Sequence, residues 1–314
     1  MTSYFTNLFS TYSIVAHDAE TGQLGVAVQT HQMGVGRVVP WAQPGVGAVA
    51  TQAWANIGFG PLGLAMLREG IAAPKVVQAL VASDDEAHNR QVAVIDARGV
   101  AGAWTGENTI AHAAHHIGSG YSTQANMMSK AIVVDAMANA YENTAGDLAA
   151  RMMAALRAAQ RHGGDIRGMQ SAALKVVSGN PKDPPWRSLF DLRVDENAAP
   201  LTELARLLRL RRAEIMDNEG LDLLKQKGPD RALKVWAKAR ALAPELEELP
   251  FWQAVALSDE PADVQTAAAI LKPALNKNPR RDHWLDLLNR LQACGIIQRP
   301  NAAKELIAQL TNDQ

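Results

Sequence analysis

The chain has 314 residues, of which 47% are hydrophobic and 20% are charged, and its formal net charge is -1. This length suggests two domains. The balanced charge argues against a protein that binds nucleic acid or a membrane surface, because such proteins usually carry a basic face. The single cysteine, Cys294, excludes a disulfide framework within one chain and fits a reducing cytoplasm. Residues 1–10 lack Lys and Arg, so no secretory signal is predicted, and no apolar run reaches the length of a membrane span.

Short strands and helices are predicted in the first part of the chain. Residues 12–18 and 24–30 are strand-like and flank Gly22, which indicates a β-hairpin, and residues 90–106 indicate a second hairpin that turns at Arg98-Gly99. Between the hairpins lie one predicted strand and two predicted helices, at residues 45–55, 60–70 and 74–83.

A helical stretch follows from about residue 130 to 161, with an interruption near residues 143–146. Its second half has Asp147 at the N-cap position and Gly163 at the C-cap position. Two further strands are predicted at residues 171–178 and 189–195. This order of hairpins, helices and strands favours an antiparallel α+β fold over a parallel sheet.

The hydrophobic periodicity of the sequence changes at residues 195–200, DENAAP, after which almost every segment has helical periodicity. We therefore predict an α+β domain over residues 1–195 and an all-α domain over residues 201–314.

The helical region contains an internal repeat. The matching positions are Ala239 with Ala274, Pro244 with Pro279, and Trp252 with Trp284. The Ala and Pro pairs are each 35 residues apart, and a period near 34 with these residue types resembles tetratricopeptide repeats. Pro273, inside a predicted helix, departs from that pattern, and an ordinary helical hairpin domain is the alternative. In the repeat interpretation the helices pack through Trp236, Trp252 and Trp284.

Several blocks in the first domain resemble domain of unknown function family 1028. The blocks are TYSIVAHD, LGVAVQT, VVPWA, GVGAVATQAWAN, RQVAVIDARG, AWTGE, GYSTQANM, GGDIRGMQSAAL and FDLRVD. The resemblance covers residues 11–212 and implies a four-layer αββα Ntn-hydrolase-like sandwich, with residues 1–10 as an N-terminal extension. It implies a function only weakly, because a fold does not by itself determine a reaction.

Thr11 matches the first position of that family. In Ntn hydrolases the N-terminal residue attacks a carbonyl and its own α-amino group takes the proton. An α-amine has a pKa of about 7.7–8.0, so a useful fraction is a neutral base at pH 7. No Met lies between positions 1 and 33, so residues 1–10 must be cut off before Thr11 can act in this way. The alternative is a threonine that simply begins a strand, where β-branched residues are common.

His31, after the second strand, is the other predicted catalytic residue, because a histidine can exchange a proton near neutral pH or bind a substrate. Its alternative is a structural role. The predicted substrate-binding residues are Gln52, Trp54, Asn56, Gln124, Asn126, Asp165 and Arg167. Carboxamides donate well to amides and oxyanions, and Arg167 is suited to clamp a carboxylate. Hydrogen bonding within loops, and an Asp165–Arg167 ion pair, are the structural alternatives.

No cofactor is predicted. The sequence HAAHH, with His112, His115 and His116, has no acidic or cysteine partner nearby for a metal ion, and no phosphate-binding loop occurs. We expect a cytoplasmic hydrolase that cleaves a small-molecule amide. The alternative is a non-catalytic binding module. In either case the helical domain is expected to bind a protein partner or to support a homo-oligomer, without nucleic acid or membrane.

Overall fold

A computed structural model describes residues 8–9, 11–259 and 263–312. The chain divides into two compact units, Met1–Leu207 and Leu208–Gln314. The division lies within helix α5 (Pro200–Lys227). The change of periodicity at residues 195–200 therefore marks the beginning of this helix and precedes the division between the units. None of the described helices has the length and hydropathy needed to cross a membrane.

The first unit contains two antiparallel sheets. The five strands of the first sheet are β1 (Leu8–Phe9), β4 (Pro40–Gln43), β5 (Gly47–Trp54), β6 (Arg90–Asp96) and β7 (Ala101–Thr105). Their order is β1-β5-β6-β7, and β4 also pairs with β5. The predicted hairpin at Arg98-Gly99 is confirmed: it joins β6 to β7, with Gly99 at φ 78°.

The second sheet has six strands in the order β11-β10-β3-β2-β9-β8. They are β2 (Thr11–His17), β3 (Leu24–Thr30), β8 (Ala114–Gly118), β9 (Tyr121–Asn126), β10 (Ser171–Val177) and β11 (Phe190–Val194). The predicted hairpin of β2 and β3 is confirmed, with Gly22 at φ 70° in the turn. Glycine suits this turn because it adopts a positive φ without a steric penalty.

Helices cover the outer faces of both sheets. Helices α1 (Phe59–Arg68) and α2 (Ala73–Ala82) pack on the first sheet, and α3 (Val133–Asn143) and α4 (Leu148–Arg161) pack on the second. The predicted N-cap is confirmed, since the Asp147 carboxylate accepts the Ala150 N–H at 2.8 Å. The first unit is therefore a mixed α and β structure with antiparallel sheets, as predicted.

The two sheets face each other across an apolar layer. Val15, Val26, Ala48 and Ile95 belong to one buried cluster that contains residues of both sheets. At about 25 cal/mol for each Å² of apolar surface, this burial is the main force that holds the sheets together.

The second unit is entirely helical over its described residues. Its helices after α5 are α6 (Pro229–Leu242), α7 (Glu248–Ser258), α8 (Val264–Leu275), α9 (Arg281–Ala293) and α10 (Ala302–Thr311). Pro273 lies in the last turn of α8, inside a helix as the sequence indicates.

Trp236 is completely buried in the helical core and donates its indole N–H to the Asp217 carbonyl at 3.0 Å. A Cβ atom on Gly220 would lie only 2.2 Å from the indole nitrogen, so this close approach requires glycine. The prediction that Trp252 packs in the core is wrong, because 37% of it is exposed. Phe251 takes the buried position instead, and the Trp284 ring packs edge-on against it at 4.5 Å.

Candidate functional site

One end of the layer between the sheets is polar, although it is as deeply buried as the apolar end. The last row of the second sheet runs Ser171, Thr30, Thr11, Asn126 across four neighbouring strands. All four residues are buried. Because side chains alternate between the faces of a strand, Ser13 lies on the same face as Thr11, and it pairs with Gln124.

The first sheet supplies the opposing row of this polar end. Its register aligns Gln52 of β5 with Gln91 of β6, and Gln91 with Thr105 of β7. One residue pair further along, β5 and β6 carry Ala50 and Ala93, which belong to the apolar layer. The layer therefore changes from polar to apolar between two successive inward-facing residues of each strand.

Hydrogen bonds join the two rows into one chain. The Ser13 hydroxyl accepts from Gln124 Nε2 at 2.6 Å and donates to Gln52 Oε1 at 2.6 Å. Gln52 Nε2 donates to Gln91 Oε1 at 2.7 Å, and Gln91 Nε2 donates to Thr105 Oγ1 at 2.9 Å. Buried polar groups avoid a desolvation penalty only when they are paired, so this series of hydrogen bonds is what allows the polar end to be buried.

Gln91 is the centre of the network. Its Oε1 also accepts Asn126 Nδ2 at 3.0 Å, and its Nε2 lies within hydrogen-bond distance of the Ala114 and Ala125 carbonyls, at 3.1 and 3.0 Å. Because backbone carbonyls can only accept, these contacts fix which end of the carboxamide is oxygen and which is nitrogen.

Thr11 lies at the beginning of β2, on the last row of the second sheet. It has no exposed surface, and its carbonyl accepts Gln52 Nε2 at 3.3 Å. The Thr11 hydroxyl therefore does not face the surface in the chain as it stands. Just upstream, Leu8 and Phe9 pair with β5 of the other sheet, whereas Thr11 pairs with β3 and β9.

Two residues beside the network have a strained backbone. Ala53, directly after Gln52, has φ 63°, and Met127, directly after Asn126, has φ 58°. A non-glycine residue in this region costs on the order of 1–3 kcal/mol, and such strain concentrates at functional sites. Both strained residues lie at the polar end of their strands.

His31 follows Thr30, the strand partner of Thr11. Its backbone N–H donates to the Asp165 carboxylate at 3.0 Å, whereas its buried Nδ1 atom has no hydrogen-bond partner among the described residues. The Asp165–Arg167 pairing anticipated as the structural alternative is present, with Arg167 Nη2 at 3.0 Å from Asp165 Oδ2. Burial, and secondarily the charge of Asp165, raise the pKa of the Tyr12 hydroxyl well above its usual value.

Trp54 and Asn56 belong to a different set of contacts. The Trp54 carbonyl accepts Arg90 Nη1 at 2.7 Å, and Asn56 Nδ2 donates to the Asp84 carboxylate at 3.0 Å. Burial opposes the ionisation of Asp84, but hydrogen bonds from Arg90 and Asn56 outweigh it and lower the pKa of this carboxyl group. The side chain of Asn56 is thus bound to Asp84, just after α2, away from the network of Gln91.

Gln52, Gln124 and Asn126, which the sequence singles out, lie in strands and not in loops, and the structure brings them together with Thr11. Ser13, Gln91, Thr105 and His115 were missed by the sequence interpretation. A signal for Gln91 does exist, since RQVAVID repeats the pattern of TYSIV: a polar residue precedes apolar ones on the inward-facing positions.

His115 and His116 of HAAHH make different contacts. Thr105 Oγ1 lies 2.8 Å from His115 Nδ1, and the His116 ring stacks on Tyr121 at 6.0 Å between centroids. Within the described part of the chain, no group of three His, Cys, Asp or Glu side chains is arranged to hold a metal ion.

Comparison with known proteins identifies a family and a similar solved structure. The sequence model of a family of unknown function, DUF1028, matches residues 11–204. The crystal structure of protein SPO2555 from Silicibacter pomeroyi, described as a DUF1028 protein, superposes with a TM-score of 0.58 at 28% sequence identity. The match covers 71% of this chain and 89% of that one. No curated protein matches the chain significantly.

Proposed function

This chain belongs to the DUF1028 family, and from that premise we propose that its first unit is an Ntn-type hydrolase of small-molecule amides with Thr11 as the nucleophile. The arrangement of α1 and α2 on one sheet, and of α3 and α4 on the other, supports the four-layer αββα sandwich that the family resemblance implies. The position of Thr11 carries the proposal: it begins a central strand, at the polar end of the layer between the sheets.

The proposed reaction requires hydrolysis of the Ser10–Thr11 peptide bond, which frees the α-amino group of Thr11. The neutral amine takes the proton of the Thr11 hydroxyl while Oγ1 attacks the substrate carbonyl carbon. The C–N bond then breaks, and the leaving amine takes the proton. Water hydrolyses the resulting ester and releases the acid.

The neighbouring side chains have chemistry suited to this reaction. Gln52 already donates to the Thr11 carbonyl, and Asn126 is the strand partner of Thr11. Uncharged carboxamides of this kind stabilise a developing oxyanion without a permanent charge of their own. His31, with its unpartnered Nδ1, is the proposed acid or base for the leaving group.

The mass of the purified protein, together with amide hydrolysis, tests the proposal. We expect a mature chain that begins at Thr11. Thr11→Ala should abolish both processing and hydrolysis, and Thr11→Ser should retain part of each because the hydroxyl and the amine remain. Thr21→Ala, in the exposed turn between β2 and β3, is the matched control and should behave like the wild type. An active protein that still begins at residue 1 or 2 would refute the role of Thr11.

A non-catalytic binding module is the second candidate. It is favoured by one observation: in the unprocessed chain the Gln52 and Gln91 carboxamides are occupied by each other and by Ser13, Thr105 and Thr11. In this case the network only fills the space between the sheets. Retention of residues 1–10 and no hydrolysis of any amide would support it.

For the second unit we propose that the helix pairs α6–α7 and α8–α9 are two tetratricopeptide-like repeats that bind a protein partner or a second copy of the chain. The 35-residue spacing of Ala239 and Ala274, in α6 and α8, supports this proposal. Light scattering of the full chain should give a mass above that of the monomer if copies associate.

A further inference from the structure

A cavity of about 630 Å³ lies beside the outer strands β7 and β8 of the first unit. Its polar lining includes Glu107, His112, His115 and Lys130, and part of its apolar lining comes from Met128 and Val133. This volume is in the range of small-molecule sites, which are mostly apolar with a few convergent polar groups. None of the residues assigned to the hydrolase mechanism lines the cavity.

The hydrogen-bond network of the polar end extends to His115, an exposed residue of β8. The Thr105 hydroxyl lies between Gln91 Nε2, which can only donate, and His115 Nδ1. When the hydroxyl donates its proton to His115 Nδ1, the proton of the neutral ring lies on Nε2. Desolvation, and secondarily the neighbouring His116, lower the pKa of His115 and favour this neutral ring. In this tautomer His115 presents an N–H donor at the wall of the cavity.

Two opposite charges line the same cavity without pairing. Lys130 and Glu107 form no ion pair with each other or with any other described residue. A cation and an anion held apart in one cavity complement a ligand that carries both charges. The apolar side chains of Met128 and Val133 complement an apolar substituent on the same ligand.

We infer that this cavity is a binding site for an apolar α-amino acid in its zwitterionic form. The carboxylate contacts the Lys130 ammonium and the His115 Nε2–H, the ammonium contacts Glu107, and the side chain lies against Met128 and Val133. The site is independent of hydrolysis at Thr11 and can be tested without it.

Three matched probes separate the two charges. L-phenylalanine carries both, L-phenylalaninamide lacks the carboxylate, and N-acetyl-L-phenylalanine lacks the ammonium. Calorimetric titration of the full chain should show L-phenylalanine binding at least about tenfold more tightly than either derivative, because each derivative lacks one of the two charged groups.

Single substitutions should remove this discrimination one charge at a time. Lys130→Met should erase the advantage of L-phenylalanine over its amide, and Glu107→Gln should erase its advantage over the acetyl derivative. His115→Phe, which keeps a ring but has no donor, should weaken L-phenylalanine several-fold and leave the amide unchanged. Lys75→Met, on the exposed face of α2, is the control and should bind like the wild type.

The inference is overturned if the three probes bind equally, or if none binds into the millimolar range. It is also overturned if Lys75→Met weakens L-phenylalanine as much as Lys130→Met does. Because the readout is binding, failure of Thr11 processing leaves each of these results interpretable.

Discussion

The two ends of the layer between the sheets are equally buried but are filled in different ways. At one end Val15, Val26 and Ile95 fill space by apolar packing, and at the other Gln52 and Gln91 are bonded to named partners. Apolar packing depends on volume and shape, whereas a buried carboxamide depends on the position of every donor and acceptor around it. A protein that needed only a stable sandwich would gain little from the second arrangement, so the polar end is where we locate function.

The sharpest test of this contrast is Gln91→Met, which keeps the length of the side chain and removes both polar atoms. We expect the free energy of unfolding to fall by about 3–5 kcal/mol, because Gln52 Nε2 and Asn126 Nδ2 each lose an acceptor. The two N–H groups that Gln91 shares among Thr105 Oγ1 and the Ala114 and Ala125 carbonyls are lost as well. Chemical denaturation measures the loss. A variant as stable as the wild type would show that the network is dispensable.

A volume-conserving apolar substitution is the matched control at the apolar end. Ile95→Leu conserves volume in a fully buried residue, so the loss should stay below about 1.5 kcal/mol in the same measurement. A loss as large as that of Gln91→Met would remove the distinction between the two ends.

The sequence predicted the framework of this layer better than its contents. Both hairpins, the strands at residues 45–55 and 171–178, and the helices around them follow from alternation and turn residues. The sequence also marks Thr11, Gln52, Gln124 and Asn126 as polar residues of interest. It does not show that Gln52 and Gln91, which are 39 positions apart, lie side by side, because only the register of β5 and β6 brings them together.

Other predictions failed because the same local sequence pattern is compatible with two different structures. Asn56 was grouped with Gln52 because both lie in ATQAWAN, but the chain leaves the strand after Trp54 and Asn56 turns to Asp84. Trp252 and Phe251 are neighbours on one helix, and the sequence cannot say which of them faces the core. The histidines of HAAHH were judged only as metal ligands, so the contact of His115 with Thr105 was missed.

Protonation of His115 should destabilise the polar end of the layer and leave the apolar end unaffected. Its pKa is lowered in the folded protein by desolvation and then by His116, so folding favours the neutral ring. The unfolded chain therefore binds the proton first. The contribution of His115 to stability is complete above a pH of about 6.5 and is lost as the pH falls from there towards the folded-state pKa.

Denaturation at several pH values should show this loss in the wild type. The slope of the free energy of unfolding against pH should be smaller in His115→Phe. The effect on stability should be smaller than that of Gln91→Met. An unchanged slope would mean that other groups, such as His17, whose pKa is also lowered by burial, account for the pH dependence.

The smallest loss of stability is expected when the Gln91 substitution is repeated at Gln29. Gln29 is also completely buried, but it lies on the other face of its sheet, beside Tyr12, whose hydroxyl reaches Gln160 of α4. Its Nε2 donates to the Thr30 carbonyl at 2.9 Å, and its Oε1 has no hydrogen-bond partner among the described residues.

Gln29→Met removes that unpaired acceptor, whose burial costs about 1–3 kcal/mol, together with one hydrogen bond of about 1 kcal/mol. The Thr30 carbonyl keeps the N–H of Gln170 at 3.0 Å. We therefore expect a free energy of unfolding between that of the wild type and about 2 kcal/mol above it. If Gln29→Met were as damaging as Gln91→Met, the cost would come from replacing any buried glutamine, and the number of partners at Gln91 would not explain it.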